Sequence, residues 1–214
     1  MTSAQNTMLK TLLSGLISLS LRTMSLFAHT AGAWFNPFLL ITPCLGLFLG
    51  VSELVAGHFI VASIWAAIFP LSFITVLQLP TLAATLFAYH SNQNSNTSKI
   101  VIAGGVLMCT VLFIAHPVGN SAIYYPLLWL PILGTLFTNS LFIRSWGITL
   151  SAHAVGTLIY LYTHTTTALF WAQLMPLAFV ERFCSSLVIY LVLTGIQYGV
   201  KYAAKSTLAL QAQA

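Results

Sequence analysis

Few side chains in this chain of 214 residues could do chemistry, because its charged groups are seven Lys/Arg and two Asp/Glu. Both acids are glutamates, Glu53 and Glu181. The stretch LMPLAFVERFCSSLVIYLV, residues 174–192, sets Glu181 beside Arg182 in an apolar run. A charge inside a membrane span costs about 2.5–3.5 kcal/mol on the insertion scale, so such groups face partners, water or a ligand. Adjacent helical residues diverge by about 100° and do not face each other. Glu181 and Arg182 are therefore each expected to find a partner on another element. Arg22 and Arg144 are the possible intramembrane charge partners, and a histidine could serve Glu181 as well. The alternative puts Met175-Pro176 at the start of a helix, which leaves the pair near an interface. Glu53, close to the end of its expected span with Gly57 behind it, reads as solvated at the interface.

Six histidines come next. His153 and His164 lie eleven residues apart in SAHAVGTLIYLYTH, about 16 Å along one helix face. That spacing rules out one shared metal ion, although each could hold a different haem with opposing histidines from a second helix. His29, His58, His90 and His116 are expected at span ends. No HExxH motif or 2-His-carboxylate spacing is present, so no cofactor or metal is expected. Nucleophilic catalysis lacks a GxSxG elbow and any aspartate, and no enzymatic activity is read from the chain.

Aromatic residues suggest binding instead. AIYYPLLWLP (122–131) joins Tyr124, Tyr125 and Trp129 to Pro126 and Pro131, directly after HPVGN (116–120). Prolines and glycines at this density imply broken backbone, which a membrane tolerates only where it is buried in protein or lines a cavity. Trp129 is expected in the interior. Tyr124 and Tyr125 fit an aromatic belt at the membrane interface.

The elements that must position these groups follow from composition. Hydrophobic residues make up 58% of the chain and charged residues 4%, against about 25% charged in a soluble domain. Mean hydropathy is +0.94. Lipid has to be the main solvent. Continuous apolar runs such as 100–115 and 183–200 favour helices over the alternating strands of a barrel. The expected fold class is an all-α integral membrane protein, a single polytopic bundle of six or seven spans over 1–214. Cys44, Cys109 and Cys184 lie in apolar runs and read as small hydrophobes. The net charge of +5 is scattered singly, which fits a positive-inside bias and no nucleic-acid partner.

Along the chain, 1–7 reads as a short polar tail. Arg22 interrupts what could pass for a signal peptide ending at Ala31-Gly32-Ala33. The segment 8–29 instead reads as a helix with Thr7, Thr11, Ser14, Ser18, Arg22, Ser25 and His29 along one face. Further spans are expected over 38–57 and over 100–116. Three more are expected at about 122–142, about 145–163 and within 168–200. The segment 58–90, with Pro70 and Pro80 inside it, is too long for one straight span and reads as one kinked helix or a helix plus a re-entrant piece. A polar loop at 91–99 and a tail at 203–214 complete the layout. Lys99, Arg144, Lys201 and Lys205 flank spans, which points to a C-terminus in the cytoplasm and location in the cell (inner) membrane. Both ends inside requires an even number of crossings, so one of the seven segments is re-entrant or merged.

In size, basic charge, helical body and the opening NPFLLITPCLGLFLG (36–50), the chain resembles the substrate-binding S-components of energy-coupling factor vitamin transporters. The resemblance implies an uptake subunit that binds a small organic molecule near the extracytoplasmic side and docks on an ATPase-driven coupling complex. Docking in that family uses small residues four apart in the first helix, here Ser14 and Ser18 rather than alanines. In this reading the cavity wall is formed by Glu181, Arg182, His153 and Trp129. The rival classes are a haem or metal protein built on His153 and His164, and a structural subunit without ligand.

Overall fold

A computed structural model describes residues 42–68 and 79–211. Every regular element among these is helical. The expected segment 8–29, with Ser14, Ser18 and Arg22, lies outside the described residues, as does Pro70. A 3-10 turn at Thr42–Leu47 leads through Gly50 into α1, Val51–Ile68. Helix α2 is Leu79–Asn92, α3 Asn96–Ala115 and α4 the single turn Pro117–Ser121. After the 3-10 turn Tyr125–Trp129 come α5, Leu130–Leu133, and a last 3-10 turn, Gly134–Leu136. Two long helices close the fold: α6, Leu141–Thr163, and α7, Ala168–Gln211.

Several expected boundaries move, each for a local reason. The divide between 57 and 58 disappears because α1 starts at Val51 and runs through His58. Glu53 consequently stands in the first turn of a helix and not near its end, where its charge complements the helix dipole. The 91–99 loop shrinks to 93–95. Ser95, in extended backbone, caps α3 by accepting the Ser98 N–H at 3.1 Å. His116 ends α3 because the residue before a proline avoids helical backbone, and its Nδ1 accepts the Val118 N–H at 3.3 Å.

The span expected over 122–142 is replaced by short turns. Pro117, Pro126 and Pro131 each sit in the first positions of a turn, the one place where the missing N–H costs nothing. Pro176, by contrast, is interior to α7 and starts no helix. The tail expected from 203 is helical as far as Gln211.

The core forms where α2 and α6 cross, with the Thr42–Leu47 turn on α2 and α7 on α6. Small residues permit these approaches. A Cβ on Gly46 would lie 2.1 Å from the Thr85 carbonyl oxygen, and one on Gly147 would lie 2.3 Å from the Phe87 ring. Hydroxyl side chains satisfy themselves inside their own helices, as Thr85 does on Thr81, Ser145 on Leu141 and Ser186 on Phe183.

The helical segments Asn96–Ala115 and Ala168–Gly199 are long and apolar enough to cross a membrane, yet only 22% and 28% of their most apolar windows are buried. Ile100, Leu107, Met108 and Val111 on α3 are exposed, as are Leu177, Val180 and Leu191 on α7.

Candidate functional site: a cleft between α6 and α7

Polar residues recur on one face of α6 at Thr149, His153 and Thr157, with Ala152, Gly156 and Tyr160 beside them. Helical geometry makes that row a continuous strip about 16 Å long from Thr149 to Tyr160. The facing strip on α7 presents Phe170, Trp171, Leu174, Arg182 and Ile189, again at spacings that share a face. Pro43, Pro80 and Thr81 close the third side, leaving a cavity of about 520 Å³. Pro80 lies over Gly156 of α6, close enough that a Cβ there would make ordinary contact with the proline ring at 3.6 Å.

The wall is graded along its length. Thr149 Oγ1 donates to the Trp146 carbonyl at 2.9 Å and to the Arg182 carbonyl at 3.3 Å, which sets Arg182 level with Thr149. One turn along, His153 Nε2 pairs with the Tyr125 hydroxyl at 3.0 Å. The far end is aromatic. The Tyr160 and Phe170 rings stack at 5.7 Å, and Phe170 meets Trp171 at 5.2 Å with planes 82° apart. Thr167 Oγ1 accepts the Phe170 N–H at 3.2 Å and Thr166 Oγ1 accepts the Trp171 indole N–H at 3.2 Å, which fixes this corner at the turn between the helices.

Behind His153 lies a packed aromatic core. Phe113 stacks on Tyr125 at 5.6 Å and meets Trp129 and Trp171 edge to face at 5.8 and 5.5 Å. Trp129 is fully buried there, as expected, but it backs the wall and does not line the cavity. Tyr125 is fully buried too and not part of an exposed belt, because its hydroxyl has His153 as partner.

A comparison with protein-family models, curated proteins and solved structures finds no match to this chain. The site therefore rests on its own geometry.

Of the residues expected at the wall, His153 and Arg182 line the cleft, and Glu181 stands beside it with its side chain 52% exposed. Among the described residues, Glu181 and Arg182 pair with each other; Arg22, the other expected partner, lies outside these residues. Backbone divergence separates their Cβ atoms, but the long arginine side chain folds back and its Nη2 reaches the Glu181 carboxylate. Arg144 is no partner for Glu181. Its guanidinium donates to Asn92 at 3.1 Å and Asn139 at 2.9 Å, tying the start of α6 to the end of α2. His164 ends α6, stacked on Tyr160 at 4.2 Å. Among the described residues no cluster of three or more His, Cys, Asp or Glu side chains could hold a metal ion.

Sequence reasoning passed over Thr149, Thr157, Tyr160, Phe170 and Trp171. The signal was present for α6: a polar residue every fourth position from Thr149 to Thr157 in an apolar helix. For Phe170 and Trp171 no signal separates a cavity wall from an interfacial aromatic.

Proposed function

We propose that the chain is a polytopic membrane protein and the substrate-binding subunit of an uptake system for a small organic molecule such as a vitamin. The observation that carries this reading is the α6/α7 cleft. Its volume of about 520 Å³ falls in the range of small-molecule sites, which are mostly apolar with a few convergent polar groups. Its apolar wall with Thr149, His153, Thr157 and Arg182 as the polar groups supports binding of a small molecule.

Membrane insertion is supported by the apolar, largely unburied surfaces of α3 and α7. A core helix of a soluble protein would hide such a surface. Orientation is supported by the cations. Lys99 opens α3, and Arg144 binds Asn92 beside it, so both stand at one end of the bundle. The aromatic corner stands at the opposite end, by the 164–167 turn. With cations on the cytoplasmic side, the cleft lies toward the extracytoplasmic half, and the C-terminus is assigned to the cytoplasm. The proposed partner is an ATPase-driven coupling complex of the energy-coupling factor type, docked through Ser14 and Ser18.

The test is co-purification of affinity-tagged full chain from its own host. A stoichiometric ATPase-bearing complex is expected, lost on Ser14→Leu while the chain stays folded and monodisperse. A chain that purifies alone from the membrane, and supports no accumulation of any solute in cells, would contradict the proposal.

A further inference from the structure

We infer that the cleft selects an organic acid, with the ligand carboxylate at Arg182 and a planar ring against the Tyr160–Phe170–Trp171 corner. The inference deepens the binding reading above and rests on it. Among the described residues, Arg182 is the one charged side chain lining the cavity, and Glu181 does not line it. Arginine presents five N–H donors in a rigid fork that matches a carboxylate. Here Nη2 goes to Glu181 and Nη1 makes no hydrogen bond among the described residues, while Nε is shielded from the cavity. The fork is thus held in place by Glu181 with donor capacity left over. Nη1 is therefore the donor that an acceptor entering the cleft would meet, in a charge-assisted bond.

The far end supplies the complementary half. Phe170 and Trp171 meet nearly at right angles, so a flat ring placed there touches one side chain face to face and the other edge to face, the two favoured aromatic geometries. His153, pinned by Tyr125, stands between the two ends. The acid and the ring of the ligand are therefore separated by roughly the length of three helical turns or less. An anionic phospholipid shares the acidic chemistry but would leave the ring corner to flexible chains.

The full chain, purified in mild detergent, is titrated calorimetrically with biphenyl-4-carboxylate, the matching carboxamide and the matching methylamine. The acid should bind at least about tenfold tighter than the amide, the size of preference that one charge-assisted bond provides. Arg182→Gln should abolish that preference, Arg182→Lys should keep part of it, and Trp171→Ala should weaken acid and amide alike. Equal binding of acid and amide, or a preference that survives Arg182→Gln, overturns the inference. So does native mass spectrometry from phosphatidylglycerol nanodiscs that finds this lipid held by Arg182 and not displaced by the acid. Binding that ignores charge but is lost in Ala152→Leu would sink the acid class and leave the uptake reading standing. Failure of every probe to bind would count against both.

Discussion

At the residue scale, the pairing of Glu181 with Arg182 shows what periodicity omits. Spacing fixes where a Cβ points, but arginine carries enough rotatable bonds to turn back on its neighbour. A glutamine at 181 keeps an acceptor for the guanidinium and removes the charge. Glu181→Gln should therefore leave the fold intact and strengthen binding of an acidic ligand a few-fold, because a competing carboxylate is gone. Weaker binding at unchanged melting temperature would show that Glu181 itself meets the ligand. Close approaches give a sharper structural prediction. Gly46→Ala and Gly147→Ala force a methyl to within 2.1 and 2.3 Å of existing atoms, and such overpacking costs about 1–3 kcal/mol or more. In a chain of this size each kcal/mol lowers the melting temperature by about 2–4 °C. Gly104→Ala, with open space around its Cβ position, should leave the melting temperature unchanged or raise it. Equal behaviour of all three variants would contradict the packing of α2 against the Thr42–Leu47 turn and α6.

At the element scale, much was legible and the misses have causes. Long apolar runs identify α3, α6 and α7 as helices, of which α3 and α7 are long and apolar enough to cross a membrane. The density of Pro and Gly from 116 to 134 announces irregular backbone, though length alone had suggested a span at 122–142. Pro176 allows two readings, a helix that starts there and one that runs through it, and the second holds. A proline inside a helix loses one hydrogen bond and clashes with the preceding turn, which argues for a helix start, but the flanking apolar length carries α7 through it. Pro176 stands inside α7 between Trp171 and Arg182. Its missing N–H and its ring clash with the preceding turn favour a kink there, between the two ends of the cleft wall. Pro176→Ala should raise thermal stability while weakening ligand binding, as read by a melting curve with and without ligand. Tighter binding in the straightened helix would contradict this role. The cleft itself was only half legible. His153 and Arg182 stood out by type, but their meeting depends on the antiparallel register of α6 and α7, which a single sequence does not state.

At the scale of the whole molecule, the proposed membrane setting makes lipid the solvent of the exposed Leu, Ile, Val and Met side chains of α3 and α7. Cys184 lies exposed on α7, whereas Cys44 and Cys109 are buried. In intact membranes a water-soluble maleimide should label none of the three, and after denaturation all of them. Rapid labelling of Cys184 in intact membranes would place that face of α7 in water. The central claim is that the α6/α7 cleft holds a small organic molecule. Native mass spectrometry of the gently solubilised full chain from its own host tests it most directly, with wild type and Ala152→Leu side by side. The prediction is a small-molecule adduct on the wild type that is missing from Ala152→Leu. A bare wild-type chain, or an adduct that Ala152→Leu retains in full, would contradict it.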